Sequence, residues 1–116
     1  MFFFKTDVSI KYIYFDRKGT YSLAQARNRA VIEADGQILV FCDDRLRLAK
    51  NAINIFATYS RPKAWIWGEK DGVAKGFVEN FSSVKREDLI RHGMFNERVQ
   101  WYGGMTKKYS KKYWFV

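Results

Sequence analysis

Residues 22–44 are SLAQARNRAVIEADGQILVFCDD, and the fold turns on how this stretch is read. Ser22 followed three residues later by Gln25 is a capping-box spacing, which predicts a helix from Ser22 to Ala34. Leu23, Ala26, Ala30 and Ala34 recur at helical spacing and make a small-residue face that lets a helix sit close on a sheet. Gly36 follows the last periodic position and predicts a left-handed helix end. Ile38 to Cys42 then run without a polar break, which predicts a central strand covered on both faces, as in a parallel sheet. The run stops at Asp43 and Asp44. Ligands of open α/β sheets bind beyond the carboxyl ends of the strands. Two acids at that place are candidate ligands for a hard cation or for hydroxyl groups.

On the amino side, Val8 to Phe15 (VSIKYIYF) is rich in β-branched and aromatic residues and predicts a strand. Asp16 to Gly19 is a turn that feeds the helix. On the carboxyl side, Ala49, Ala52, Ile53, Phe56 and Ala57 predict an amphipathic helix that ends before Pro62. Ala64 to Gly68 predicts a strand. Asp71-Gly72 is a turn signal, with Val73 to Val78 as the second arm of a hairpin. Arg86 to His92 predicts a short helix closed by Gly93, and Met94 to Gly104 a loop.

At 116 residues the chain has the length of one domain, residues 1–116. A net charge of +9 favours anionic partners: nucleotide phosphates, nucleic acid or an acidic membrane surface. One cysteine excludes an internal disulfide and a zinc cluster. No apolar run approaches the length of a membrane span, and Met1 to Phe4 is too short for a signal peptide. These features predict a cytoplasmic protein, with contact at the inner membrane face as the variant.

Two blocks together resemble family 2 glycosyltransferases of the GT-A fold. The first runs from Ala26-Arg27-Asn28 through DGQILVF to Asp44. The second is GFVENFSSVKREDLIRHGMFNERVQWYGG, from Gly76 to Gly104. The resemblance covers residues 8 to 106. It implies an α/β fold, a three-layer GT-A sandwich with a mostly parallel sheet, truncated by the absence of the family's opening strands. It also implies transfer of a sugar from a nucleotide diphosphate to an acceptor hydroxyl.

Site residues follow from the same resemblance. Asp43 and Asp44 match the first two positions of an acidic motif that holds the ribose and a divalent cation, Mg or Mn. Arg45 stands at the third, usually acidic, position; an arginine there offers two parallel hydrogen bonds to the diphosphate instead. Arg27 and Asn28 are expected near the helix N-terminus, on the nucleotide side. Asn80, Trp101, Tyr102, Gly103 and Gly104 are the expected contacts to sugar or acceptor. Met105-Thr106 stand where the family has an acidic pair, which leaves Glu97 as the candidate base and predicts slow or absent transfer.

Two alternatives come from other classes. One is a non-catalytic glycosyltransferase remnant that serves as an interaction domain. The other, which no recognised motif supports, is a basic nucleic-acid-binding module using the lysine–aromatic tract Lys107 to Phe115. The expected partners are a nucleotide sugar and a carbohydrate acceptor. A sheet without its opening strands has an unpaired edge, and MFFF and YWFV are apolar ends, so a two-fold homodimer is expected.

Overall fold

The computed structural model describes residues 9–14, 23–44, 46–68 and 80–98, together with the backbone of 114–115. In chain order the elements are α1 (Leu23–Glu33), β1 (Ile38–Cys42), α2 (Ala52–Tyr59), β2 (Ala64–Trp67), β3 (Phe81–Lys85), α3 (Arg86–Arg91) and β4 (Trp114–Phe115).

The sheet order is β1-β3-β2-β4. β3 runs antiparallel to both β1 and β2, and the two-residue β4 alone is parallel to its neighbour. The expectation of a mostly parallel GT-A sheet is therefore corrected: the body of this sheet is three antiparallel strands. Among the described residues β1 is also an edge strand rather than the central one. Its unbroken apolar run goes with one face in the core and a second partly covered, where Ile38 and Val40 are half-buried and Cys42 is exposed. Leu39 packs in the main core, while α2 contacts β1 from the other side. Cover on both faces does not fix the direction of a neighbouring strand, and the parallel reading failed there.

Register explains the core. Leu39 and Trp65 both pair with Val84, so these three side chains form one row across the sheet. Val31 of α1, Leu89 of α3 and Phe95 close over that row. Trp65 is fully buried, and its indole N–H donates to Ser82 Oγ at 3.0 Å. On the opposite face Phe56 of α2 meets the edge of Phe81, centroids 5.3 Å apart. The Phe81 ring also lies against Gly68, where an added Cβ would fall 2.1 Å from a ring carbon.

The helix ends are satisfied in two ways. α3 closes as a Schellman turn: Gly93 (φ 87°) donates to Ile90 O at 3.0 Å and Met94 N–H to Leu89 O at 2.9 Å. α1 does not end on a left-handed glycine, since Gly36 has no positive φ. Cations from distant segments take its last carbonyls instead. Lys11 Nζ donates to Glu33 O at 2.8 Å and Arg86 Nε to Val31 O at 3.2 Å. Lys11 also bonds Asp35, and this contact lowers the Asp35 pKa.

Residues 9–14 form no strand, contrary to the reading of Val8 to Phe15. Lys11 and Ile13 turn towards α1, while Ile10, Tyr12 and Tyr14 are exposed. The expected turn at Asp16 to Gly19, the capping Ser22 and the hairpin at 71–78 lie outside the described residues. Among the described residues no helix is long and apolar enough to cross a membrane.

Candidate functional site

A short turn reverses the chain between α1 and β1, so the first half of α1 lies beside the carboxyl end of β1. Asp43 continues the β1–β3 ladder past Cys42, its N–H donating to Asn80 O at 3.4 Å. Residues 39, 41 and 43 share the α1 face of the sheet, as do 80, 82 and 84. The core row of Leu39 and Val84 is thus followed by Phe41 and Ser82, and then by the polar pair Asp43 and Asn80.

Two linked constellations stand at this end of the sheet. In the first, Asp43 Oδ2 accepts Asn80 Nδ2 at 2.8 Å, and Asp43 Oδ1 lies 3.5 Å from the Arg27 guanidinium. Arg27 has a side chain only 13% exposed. Its guanidinium sits 6.0 Å from the Phe41 ring centre and 5.7 Å from that of Phe95, within cation–π range of both. The two rings meet edge to face at 5.2 Å. In the second, buried Asn28 spends its amide on the 94–98 loop. Its Nδ2 donates to Phe95 O at 3.0 Å and Glu97 Oε1 at 3.1 Å, and its Oδ1 accepts Phe95 N–H at 2.8 Å. A buried amide costs free energy unless bonded in this way.

The structure therefore brings Arg27, Asn28, Asp43, Asn80 and Glu97 to one end of the sheet. Arg27 and Asn28 lie in the middle of α1 rather than at its N-terminus. Asn28 faces the loop and the core. Glu97 is an exposed carboxylate held by Asn28. Asp44 is exposed beside the cluster. Arg45, Trp101, Tyr102, Gly103 and Gly104 lie outside the described residues.

Residues that the sequence did not single out complete the site. Phe41 and Phe95 are the walls around Arg27, and Phe95 also anchors the loop. The FNE sequence carried a signal for Phe95; nothing in the local pattern marked Phe41 as more than core.

A divalent cation fits this arrangement poorly. Both oxygens of Asp43 already face cationic or N–H donors, which leaves Asp44 as the other carboxylate of the acidic pair. Among the described residues no group of three or more His, Cys, Asp and Glu side chains could hold a metal. A groove of about 310 Å³ opens from Arg27 and Asp43 along the outer side of β1, floored in part by Ala30 and Ala34. A second concavity of about 600 Å³, lined by Lys85, Arg86, Glu87 and Arg91, lies at the opposite end of β1 and shares no residue with this cluster.

No family model, curated protein or solved structure matches the chain.

Proposed function

We propose that this protein is glycosyltransferase-like and binds a nucleotide-diphosphate sugar at the carboxyl end of β1, with transfer to an acceptor hydroxyl weak or lost. One observation carries the reading. Residues of two sequence blocks that resemble the family, Arg27 and Asp43 from one and Asn80 and Glu97 from the other, converge on a single cluster. That cluster closes the carboxyl end of β1, where Asp43 bonds Asn80 at the start of β3.

The chemistry would run on fixed donors. Arg27, within cation–π range of two rings set edge to face, is a preorganised cation for a diphosphate, and such a group needs no reorganisation when charge develops. Asn80 orients Asp43, whose remaining acceptor capacity suits a ribose hydroxyl. No step is assigned to a metal. Glu97, engaged by Asn28, acts in this reading as a brace of the 94–98 loop, which supports low turnover. A cytoplasmic location belongs to the same proposal, and the charge of +9 supports contact with an acidic inner membrane face.

The non-catalytic interaction domain is the second reading, favoured by the outer edge of β1, which is open among the described residues. Thermal unfolding with nucleoside diphosphates and their sugars, each with and without manganese, tests both. A ligand at 100 times its Kd adds about 2.7 kcal/mol of stability. Stabilisation by nucleotide sugars that is lost in Asp43→Ala is expected. The reading ends if no nucleotide raises the midpoint, or if Asp43→Ala binds as well as the parent.

A further inference from the structure

The outer edge of β1 is a row of backbone groups in a defined phase. Gln37 O accepts Arg86 N–H at 2.9 Å, and Asp43 N–H reaches Asn80 O at 3.4 Å. In the β1–β3 register these two pairs lie six positions apart. Antiparallel ladders alternate, so residues 37, 39, 41 and 43 turn their N–H and C=O groups towards β3. Ile38, Val40 and Cys42 turn theirs outward. Among the described residues no hydrogen bond is made to that edge.

Natural edge strands are usually protected by a lysine, a proline, a bulge or an inward charge. β1 has none of these: Gly36 to Cys42 carries no charged residue and no proline. Beside the edge runs the groove of about 310 Å³ floored by Ala30 and Ala34, an apolar trough for the side chains of an added strand.

We propose that β1 pairs with β1 of a second copy, antiparallel, about a two-fold axis at Val40. The phase is self-complementary in this arrangement. Val40 faces Val40 of the other copy, and Ile38 faces Cys42, so all three outward residues exchange both of their backbone hydrogen bonds. The charges also fit. Asp43 falls opposite Gln37 and Asp44 opposite Gly36, so no two acids meet. A parallel in-register pair would set Asp43 on Asp43 and Asp44 on Asp44, which like-charge repulsion disfavours. The antiparallel pairing brings Gln37 of each copy beside the Arg27–Asp43 cluster of the other.

Light scattering on the full chain at micromolar concentration, combined with cysteine placement, decides the matter. Hydrogen-bonded antiparallel partners have Cα atoms about 5.5 Å apart, inside the disulfide range of about 4.4 to 6.8 Å. Val40→Cys together with Cys42→Ser should therefore give a disulfide-linked dimer under mild oxidation, and Ala57→Cys with Cys42→Ser, on the exposed side of α2, should not. Val40→Pro, which removes an outward N–H, should abolish the dimer while its far-UV circular dichroism stays that of the parent. If Val40→Pro does not fold, the cysteine pair carries the test alone. A monomeric parent chain overturns the proposal, as does a dimer that fails to cross-link through position 40. Protection of the 9–14 amides in a monomer would mean that the chain closes this edge with its own segment, and would overturn it too. Nucleotide binding is a separate readout, so either result stands whichever way the ligand screen falls.

Discussion

Asn28 and Phe95 are joined by two opposed hydrogen bonds across 67 residues of chain, the side-chain amide of one matching the backbone N–H and C=O of the other. The amide does for the 94–98 loop what a neighbouring strand would do. Asn28→Ala leaves both backbone groups of buried Phe95 without partners. We expect a loss of about 2 to 4 kcal/mol in urea unfolding. A loss below about 0.5 kcal/mol would mean that the loop is held by packing alone.

Gly68 should tolerate no side chain while Phe81 keeps its place. A Cβ at 68 would fall 2.1 Å from the Phe81 ring, which is itself set against Phe56. Gly68→Ala is expected to cost about 1 to 3 kcal/mol. The cost should shrink in a Phe81→Leu background, and a double-mutant cycle on thermal midpoints checks the coupling.

The thiol of Cys42 should be a slow nucleophile despite its exposure. Desolvation, and then the Asp43 carboxylate beside it, push its pKa above the ordinary thiol range. Its alkylation rate should accordingly reach half-maximum at a pH higher than that of a cysteine in a short peptide. Asp43→Asn should move this midpoint down. The raised value favours the neutral thiol in the fold, so the contribution is present at neutral pH and fades as pH rises through the folded-state pKa. A midpoint below the peptide value would contradict it.

Arg27→Lys separates charge from shape. The ammonium keeps the charge but not the planar guanidinium that lies near both Phe41 and Phe95. We expect about 1 kcal/mol of lost stability. On the proposed role, nucleoside diphosphate affinity should fall about ten- to a hundredfold, which titration calorimetry would measure. Unchanged affinity would remove Arg27 from the binding role.

Transfer itself should be weak, and Glu97→Gln should leave it almost as it was. Glutamine still offers Asn28 an acceptor oxygen, so the loop should stay in place. Vigorous transfer by the parent, abolished in this variant, would make Glu97 a working base worth about 100- to 10,000-fold.

The particular residues explain what was legible. The helix at 23–33 follows from apolar periodicity and the strands at 38–42 and 64–67 from short apolar runs, and Gly93 closes its helix as read. The inward face of α1 was misjudged. Ala24, Asn28 and Val31 are buried, whereas Ala30 is exposed. Periodicity looks for apolar side chains, and Asn28 is a buried amide whose bonds come from residues far along the chain. β3 was invisible to periodicity for a related reason. Ser82 and Ser83 are fully buried in the middle of the sheet, and two serines in a row carry no strand signal. Asp43 was legible from the end of the apolar run, and the rest of the cluster through the resemblance. Its wiring was not, because Asn28 in an ARN sequence gives no sign that its partners are Phe95 and Glu97.

The strand between β1 and β2 in space comes after both in the chain. Neither of the two earlier strands bonds the other, so each waits for residues 81–85 before its backbone has a ladder. As the chain leaves the ribosome, a length ending near residue 80 holds β1 and β2 without the strand that lies between them. Such unpaired segments are the species that chaperones retain and that aggregate when unguarded. Closing long loops onto β3 costs entropy before the ladder forms, so a slower synthesis would lengthen the exposure rather than relieve it.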